Sequence, residues 1–136
     1  MALPIVTVDL VAVLAAAIVG YIVGFIWYGP LFGKAWMSLM KLDPKNMKKE
    51  GMVGKMVVGF IATVVMTYVL AYMLAATQAT VFADALMTGF MIWLGFFAAT
   101  MLGQVLWEGK PTKLYALNVL HYLVVLLAAS AVIAYV

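Results

Sequence analysis

The sequence predicts an all-α, polytopic membrane protein: four transmembrane helices with a short interfacial helix after the first span, forming one domain over residues 1–136. Three observations predict it. Of the 136 residues, 68% are apolar and 10% charged, with a mean hydropathy of +1.17. Ordinary soluble domains carry about 45–50% apolar and about 25% charged residues, and a globule this small leaves too much surface in water to hide such an excess. The apolar residues also gather into four stretches of about the 20 residues that a spanning helix needs. Finally, none of these stretches alternates as a strand does, and an open sheet edge cannot be satisfied in lipid.

The first span is read over residues 4–27, with Asp9 its only charge. No Lys or Arg precedes it and it is longer than a signal-peptide core, so it is expected to stay as a span. Ala12, Ala16, Gly20 and Gly24 recur at every fourth position, a small-residue stripe that lets another helix approach closely. In residues 30–41 the polar Lys34, Ser38 and Lys41 share one face while apolar residues cover the rest, which predicts a short helix in the headgroup layer. Asp43-Pro44 supplies an N-cap and a proline at N1, predicting a second short helix ended by Gly51. The loop 28–55 is thus amphipathic and rich in Lys. It reads either as a membrane-anchored linker or as a site for anionic headgroups or a protein partner. The second span, 56–76, holds no charge. The third, 84–107, opens on Asp84 and carries a second stripe, Gly95, Ala99 and Gly103. The turn at Gly109-Lys110 leads to Pro111 and the fourth span, 114–136.

The charges sort by loop. Lys34, Lys41, Lys45, Lys48, Lys49 and Lys55 lie between spans one and two, and Lys110 and Lys113 between spans three and four. With four spans these loops share one side, so the positive-inside rule places both in the cytoplasm and both termini outside the cell membrane. The net charge of +3 therefore concerns orientation. The chain has no Arg, the residue favoured for bidentate phosphate contacts, so no nucleic-acid partner is expected. Without cysteine there are no disulfides, thiol nucleophiles or thiolate metal sites.

Ionisable groups inside spans are functional candidates by default. Asp9 and Asp84, near helix N-termini, read as caps or as carboxylates at an outer vestibule. His121, the one histidine, and Asn118 share a face of span four; Thr100 and Gln104 fall at matching depths on span three. These four are expected to form an inner-leaflet polar layer, either structural or a proton- or solute-binding site. Glu108 ends span three, where the helix dipole opposes a carboxylate, so it is expected to pair with Lys110, Lys113 or Lys34. Met52/Met56, Met87/Met91 and Met37/Met40 have helical spacing that suits Cu(I) thioether ligation or, more simply, packing. No triad order, HExxH, phosphate loop or nucleotide fingerprint occurs. The chain is read as no enzyme, with no catalytic residue, metal or cofactor.

The exits of spans one and three, GFIWYGP (24–30) and GQVLWEGKP (103–111), both run Gly, Trp, Gly, Pro, as a duplicated hairpin would. The first exit continues as WYGPLFGKAWM, comprising Trp27, Tyr28, Gly29, Pro30, Phe32, Gly33, Lys34 and Trp36. This segment resembles the signature of the small prokaryotic membrane proteins catalogued as domain of unknown function 1761. WEGKP (107–111), with Asn118 and Tyr122, is similar to that family's C-terminal half; His121 before Tyr122 departs from it. The resemblance spans essentially the whole chain and implies four spans and a cell-membrane location, but no activity. Two functions are weighed. One is permeation of a small solute or ion through a homo-oligomer. The other is a scaffold or accessory subunit that binds lipid or protein through residues 27–55. A connected wet cavity favours the first and a dry, internally satisfied bundle the second.

Overall fold

Asp9 sets the start of the first helix. Its Oδ1 accepts hydrogen bonds from the Val11 and Ala12 N–H groups at 2.9 and 3.4 Å, so α1 runs Leu10–Ile26. Residues 3–9 precede the helix without regular structure, and Tyr72 Oη pins them by donating to Pro4 O at 2.6 Å. The expected first span, 4–27, is therefore corrected to Leu10–Leu31. Asp9 sits at its N-cap and not inside it. A computed structural model of the chain describes residues 3–43, 45 and 50–136.

After α1 the backbone widens into a π-turn, Trp27–Leu31. Pro30 has no N–H to give Ile26 O, so the ladder skips a residue and Phe32 N–H bonds Trp27 O at 2.8 Å. The interfacial helix α2 follows as Gly33–Leu39, shorter than 30–41 because Pro30 belongs to the π-turn. The helix expected after Asp43 falls largely on Pro44 and residues 46–49, outside the described residues, as do Lys48 and Lys49. Asp43 Oδ1 accepts from the Lys45 N–H at 2.9 Å. Gly51 adopts φ +74°, and α3, Met52–Ala76, starts at once, four residues before the expected 56.

Span three comprises α4 (Phe82–Trp93), a second π-turn (Leu94–Ala98), α5 (Ala99–Met101) and α6 (Gly103–Leu106). Span four is α7, Thr112–Tyr135, reached through Gly109 at φ +69°. All four spans are long and apolar enough to cross a membrane. Much of the apolar surface, such as Ile22, Val57, Val65 and Phe96, points outward, as lipid contact requires.

Span one packs against spans two and four, and span four against spans one and three; spans two and three touch little. The helices therefore follow the order two, one, four, three around an arc. A duplicated hairpin would repeat the one–four contact between three and two, and the packing does not. Toward the termini the arc closes on Ala16, Leu70, Leu74, Ala85, Leu126 and Ala129. The stripe predicted on span one carries this packing. Ala12, Ala16 and Gly20 are buried, and a Cβ at Gly20 would lie 3.2 Å from Val125 Cγ1. The stripe on span three does not: Gly95 and Ala99 are exposed, with nothing near a Cβ at Gly95. Gly103 meets only Trp107 of its own helix. Span three instead meets span four at Ala85 and Gly89, where a Cβ on Gly89 would collide with Ser130 Oγ.

Candidate functional site

The π-turn at residues 27–31 aims two aromatic side chains at span four. Trp27 Nε1 donates to Leu117 O at 3.1 Å, and Tyr28 Oη donates to Asn118 Oδ1 at 2.7 Å. Gly33 allows the chain to double back, since a Cβ there would lie 2.7 Å from Tyr28 O. Trp36 of α2 then stacks edge-on against Tyr28, with ring centroids 5.6 Å apart. Three residues of the WYGPLFGKAW segment thus build one face of a site.

His121 lies beside them. It is nine residues beyond Thr112, or about 14 Å along α7 at 1.5 Å per residue, toward the middle of that helix. Its ring faces Tyr28 and Tyr122 at 4.9 Å each and Trp27 at 6.2 Å. Gly24 makes the room, as a Cβ at that position would lie 3.4 Å from His121 Nε2. Both imidazole nitrogens are buried and neither has a hydrogen-bond partner among the described residues. In an apolar setting such a group forgoes bonds it would have in water, a cost of about 1–3 kcal/mol that a bound partner would relieve.

The second π-turn supplies the facing wall. Ala99 N–H bonds Leu94 O, and Leu102 N–H bonds Thr100 O. Ala98 O is taken by Tyr115 Oη of span four at 2.6 Å. Phe97 packs on Tyr122 at 5.0 Å. Together the walls flank an open cavity of about 620 Å³, lined by Tyr21, Phe25, Tyr28, Phe97, His121 and Tyr122 among others. Among the described residues no acid or lysine lines it. Two π-turns, one in each half of the chain, thus each present an aromatic ring to one cavity around one unpaired imidazole.

The expected polar layer is not assembled. Asn118 and His121 turn toward span one, whereas Thr100 is exposed and its Oγ1 donates to Phe96 O of its own helix. Gln104 contributes a backbone carbonyl to the Lys110 N–H at 3.0 Å. No hydrogen bond among the described residues joins the four. Matching depth placed them at one level but not on one face. The partner of His121 is span one, whose small stripe leaves space for it.

The other candidates lie away from the cavity. The Asp9 carboxylate is engaged as a cap; Asp84 is exposed in the first turn of α4. Glu108 pairs with Lys110 at 3.9 Å, both side chains about half exposed, while Lys113 and Lys34 make no such contact. Met52, Met56, Met87 and Met91 face outward. Among the described residues no three His, Asp or Glu side chains gather. The sequence reading missed Tyr28, Tyr122 and Phe97 as lining residues. The signal for Tyr28 was present in the Gly-Pro after it, which rules out a regular helix.

Four spans, a flanking interfacial helix and an aromatic cavity in one half of the bundle define a polytopic helical membrane protein. The chain belongs to the family described as Protein of unknown function (DUF1761), whose family model matches residues 11–134 and so includes both π-turns and His121. No curated protein and no solved structure gives a match.

Proposed function

We propose that this protein holds a small uncharged solute inside the membrane, in the cavity at His121, as the binding step of that solute's passage. The observation that carries this reading is the buried imidazole with both nitrogens unpaired, inside a cavity that two π-turns furnish with aromatic rings. π-Turns are rare and gather at functional sites. Intramembrane ionisable side chains are costly and tend to mark solute paths. The wall chemistry favours a neutral cargo over an ion, because the cavity offers no charge to replace lost hydration. The closed packing around Ala16, Leu74, Ala85 and Ala129 then acts as the shut gate of this conformation.

The Lys-bearing end is taken as cytoplasmic. A second copy of the chain is taken to pack on the exposed Gly95-Ala99 face, the small-residue surface left unused within the bundle. A membrane-surface role for α2 is a second reading. It is favoured by Lys34 and Ser38 facing outward while Trp36 is anchored on Tyr28, a posture suited to anionic headgroups.

The test uses proteoliposomes and a short-chain photoactivatable alcohol bearing a diazirine. Saturable labelling of residues 59–66 and 121–125 is expected, lost in Ala62→Phe, which fills the cavity from its open side. Sodium, potassium and chloride fluxes are expected to match empty vesicles. Labelling that ignores Ala62→Phe would overturn the reading.

A further inference from the structure

Three of the four seams around the arc are stapled by hydrogen bonds from side chains. Spans one and two are joined by Thr67 Oγ1 to Val13 O at 3.2 Å and by Tyr21 Oη to Met56 O. Spans one and four are joined by Trp27 to Leu117 and Tyr28 to Asn118. Spans three and four are joined by Trp93 Nε1 to Val119 O at 2.7 Å and by Tyr115 to Ala98. Between spans two and three no side-chain hydrogen bond is made among the described residues. A groove of about 350 Å³ lies there instead, with no polar surface in its walls and Leu126 of span four contributing to its lining. The groove and the His121 cavity share Met66 and Phe97, so the two lie side by side with these side chains between them. A molecule that passes between Met66 and Phe97 leaves a wholly apolar slot for a cavity walled in part by His121, whose unpaired nitrogens a turn of the ring would bring to it.

We infer that the ligand of the His121 cavity is a single-chain amphiphile with an uncharged hydrogen-bonding head, a long-chain alcohol in chemical class, admitted from the lipid between spans two and three. The inference rests on the reading above and adds the ligand's class and route. The apolar groove takes the alkyl chain, which leaves lipid tails for a surface as apolar as they are. The head meets His121, which can accept a hydroxyl hydrogen at one nitrogen and donate its own N–H from the other. A charged head is disfavoured because neither groove nor cavity carries a counter-charge. Met66 and Met73 are flexible enough to let the seam part without breaking a hydrogen bond.

The experiment compares two probes in proteoliposomes: a long-chain alcohol with the diazirine near its hydroxyl, and the short-chain diazirine alcohol. Adducts are mapped by mass spectrometry. The long-chain probe is expected to label residues 59–66 and 121–125 saturably. Val69→Trp places a bulky ring in the groove at an exposed position, so folding should tolerate it. It is expected to cut long-chain labelling at least about tenfold while sparing short-chain labelling. Ala62→Phe is expected to abolish both. Long-chain adducts confined to outward residues such as Val57 and Val58, with short-chain labelling intact, overturn this inference alone. Failure of both probes overturns the function proposed above as well. A second copy of the chain seated in the seam would instead give disulfide-linked dimers through Val69→Cys and block the long-chain probe, and that outcome also refutes the route.

Discussion

Gly33 and Gly89 show how much a single hydrogen atom matters in this bundle. At Gly33 a methyl group would press on the Tyr28 carbonyl, which is backbone and cannot rotate away. Gly33→Ala is therefore expected to cost about 1–3 kcal/mol, the usual range for overpacking, read as a fall in unfolding midpoint in detergent. Gly54→Ala, with nothing near its Cβ, should be neutral or slightly stabilising. At Gly89 the obstacle is a side chain, Ser130 Oγ, with Leu126 O and Ser130 Cβ close behind. Gly89→Ala should destabilise, and adding Ser130→Ala should restore part of the loss. Full restoration would mean that the Leu126 carbonyl is not the second limit. At Glu108 the opposite holds. Its pair with Lys110 is long and solvent-exposed, so Glu108→Gln should change stability by less than about 1 kcal/mol.

At the scale of elements, the spans themselves were legible in the sequence and their irregularities only in part. Hydrophobic length marks a span because the bilayer imposes it, and all four spans were found within a few residues of their observed ends, except the start of span one. There the apolar content of residues 4–8 set the expected start too early, although Asp9 already read as a cap. The first π-turn had a visible cause in Pro30. The second, Leu94–Ala98, has no proline and is held by Tyr115, which lies far along the chain, so no local pattern announces it. This gives a direct test. Tyr115→Phe removes the donor to Ala98 O, and interhelical bonds of this kind average about 0.6 kcal/mol. Amide exchange should rise across residues 99–106 and stay unchanged across 82–93. Uniform behaviour of the two stretches would show that Tyr115 does not secure the lower part of span three.

For the molecule as a whole, the larger cavity, of about 620 Å³, lies toward the Lys-bearing end and a smaller one, of about 240 Å³, toward the termini, and the sequence conveys the reason only once the pairing of spans is known. Small residues on span one meet Val125 and Leu126 of span four toward the termini. Gly24 then meets His121, and the larger rings of Tyr28 and Tyr122 hold the helices around open space. Depth counting brought His121 together with Thr100 and Gln104, because depth is readable from sequence and rotation about the helix axis is not. Orientation in the membrane can be tested using the absence of native cysteine. In intact cells an impermeant maleimide should label Thr80→Cys, whereas Ser38→Cys should react only after permeabilisation. The reverse pattern would invert the topology.

The single histidine makes the central claim measurable at one atom pair. With histidine labelled by nitrogen-15 and the protein in bilayers, the two imidazole signals belong to His121 alone. Titration with a short-chain alcohol is expected to shift them saturably, and Ala62→Phe is expected to abolish the shift. Signals that stay fixed, or that drift in proportion to added alcohol in both proteins, would contradict the binding of a neutral solute at His121.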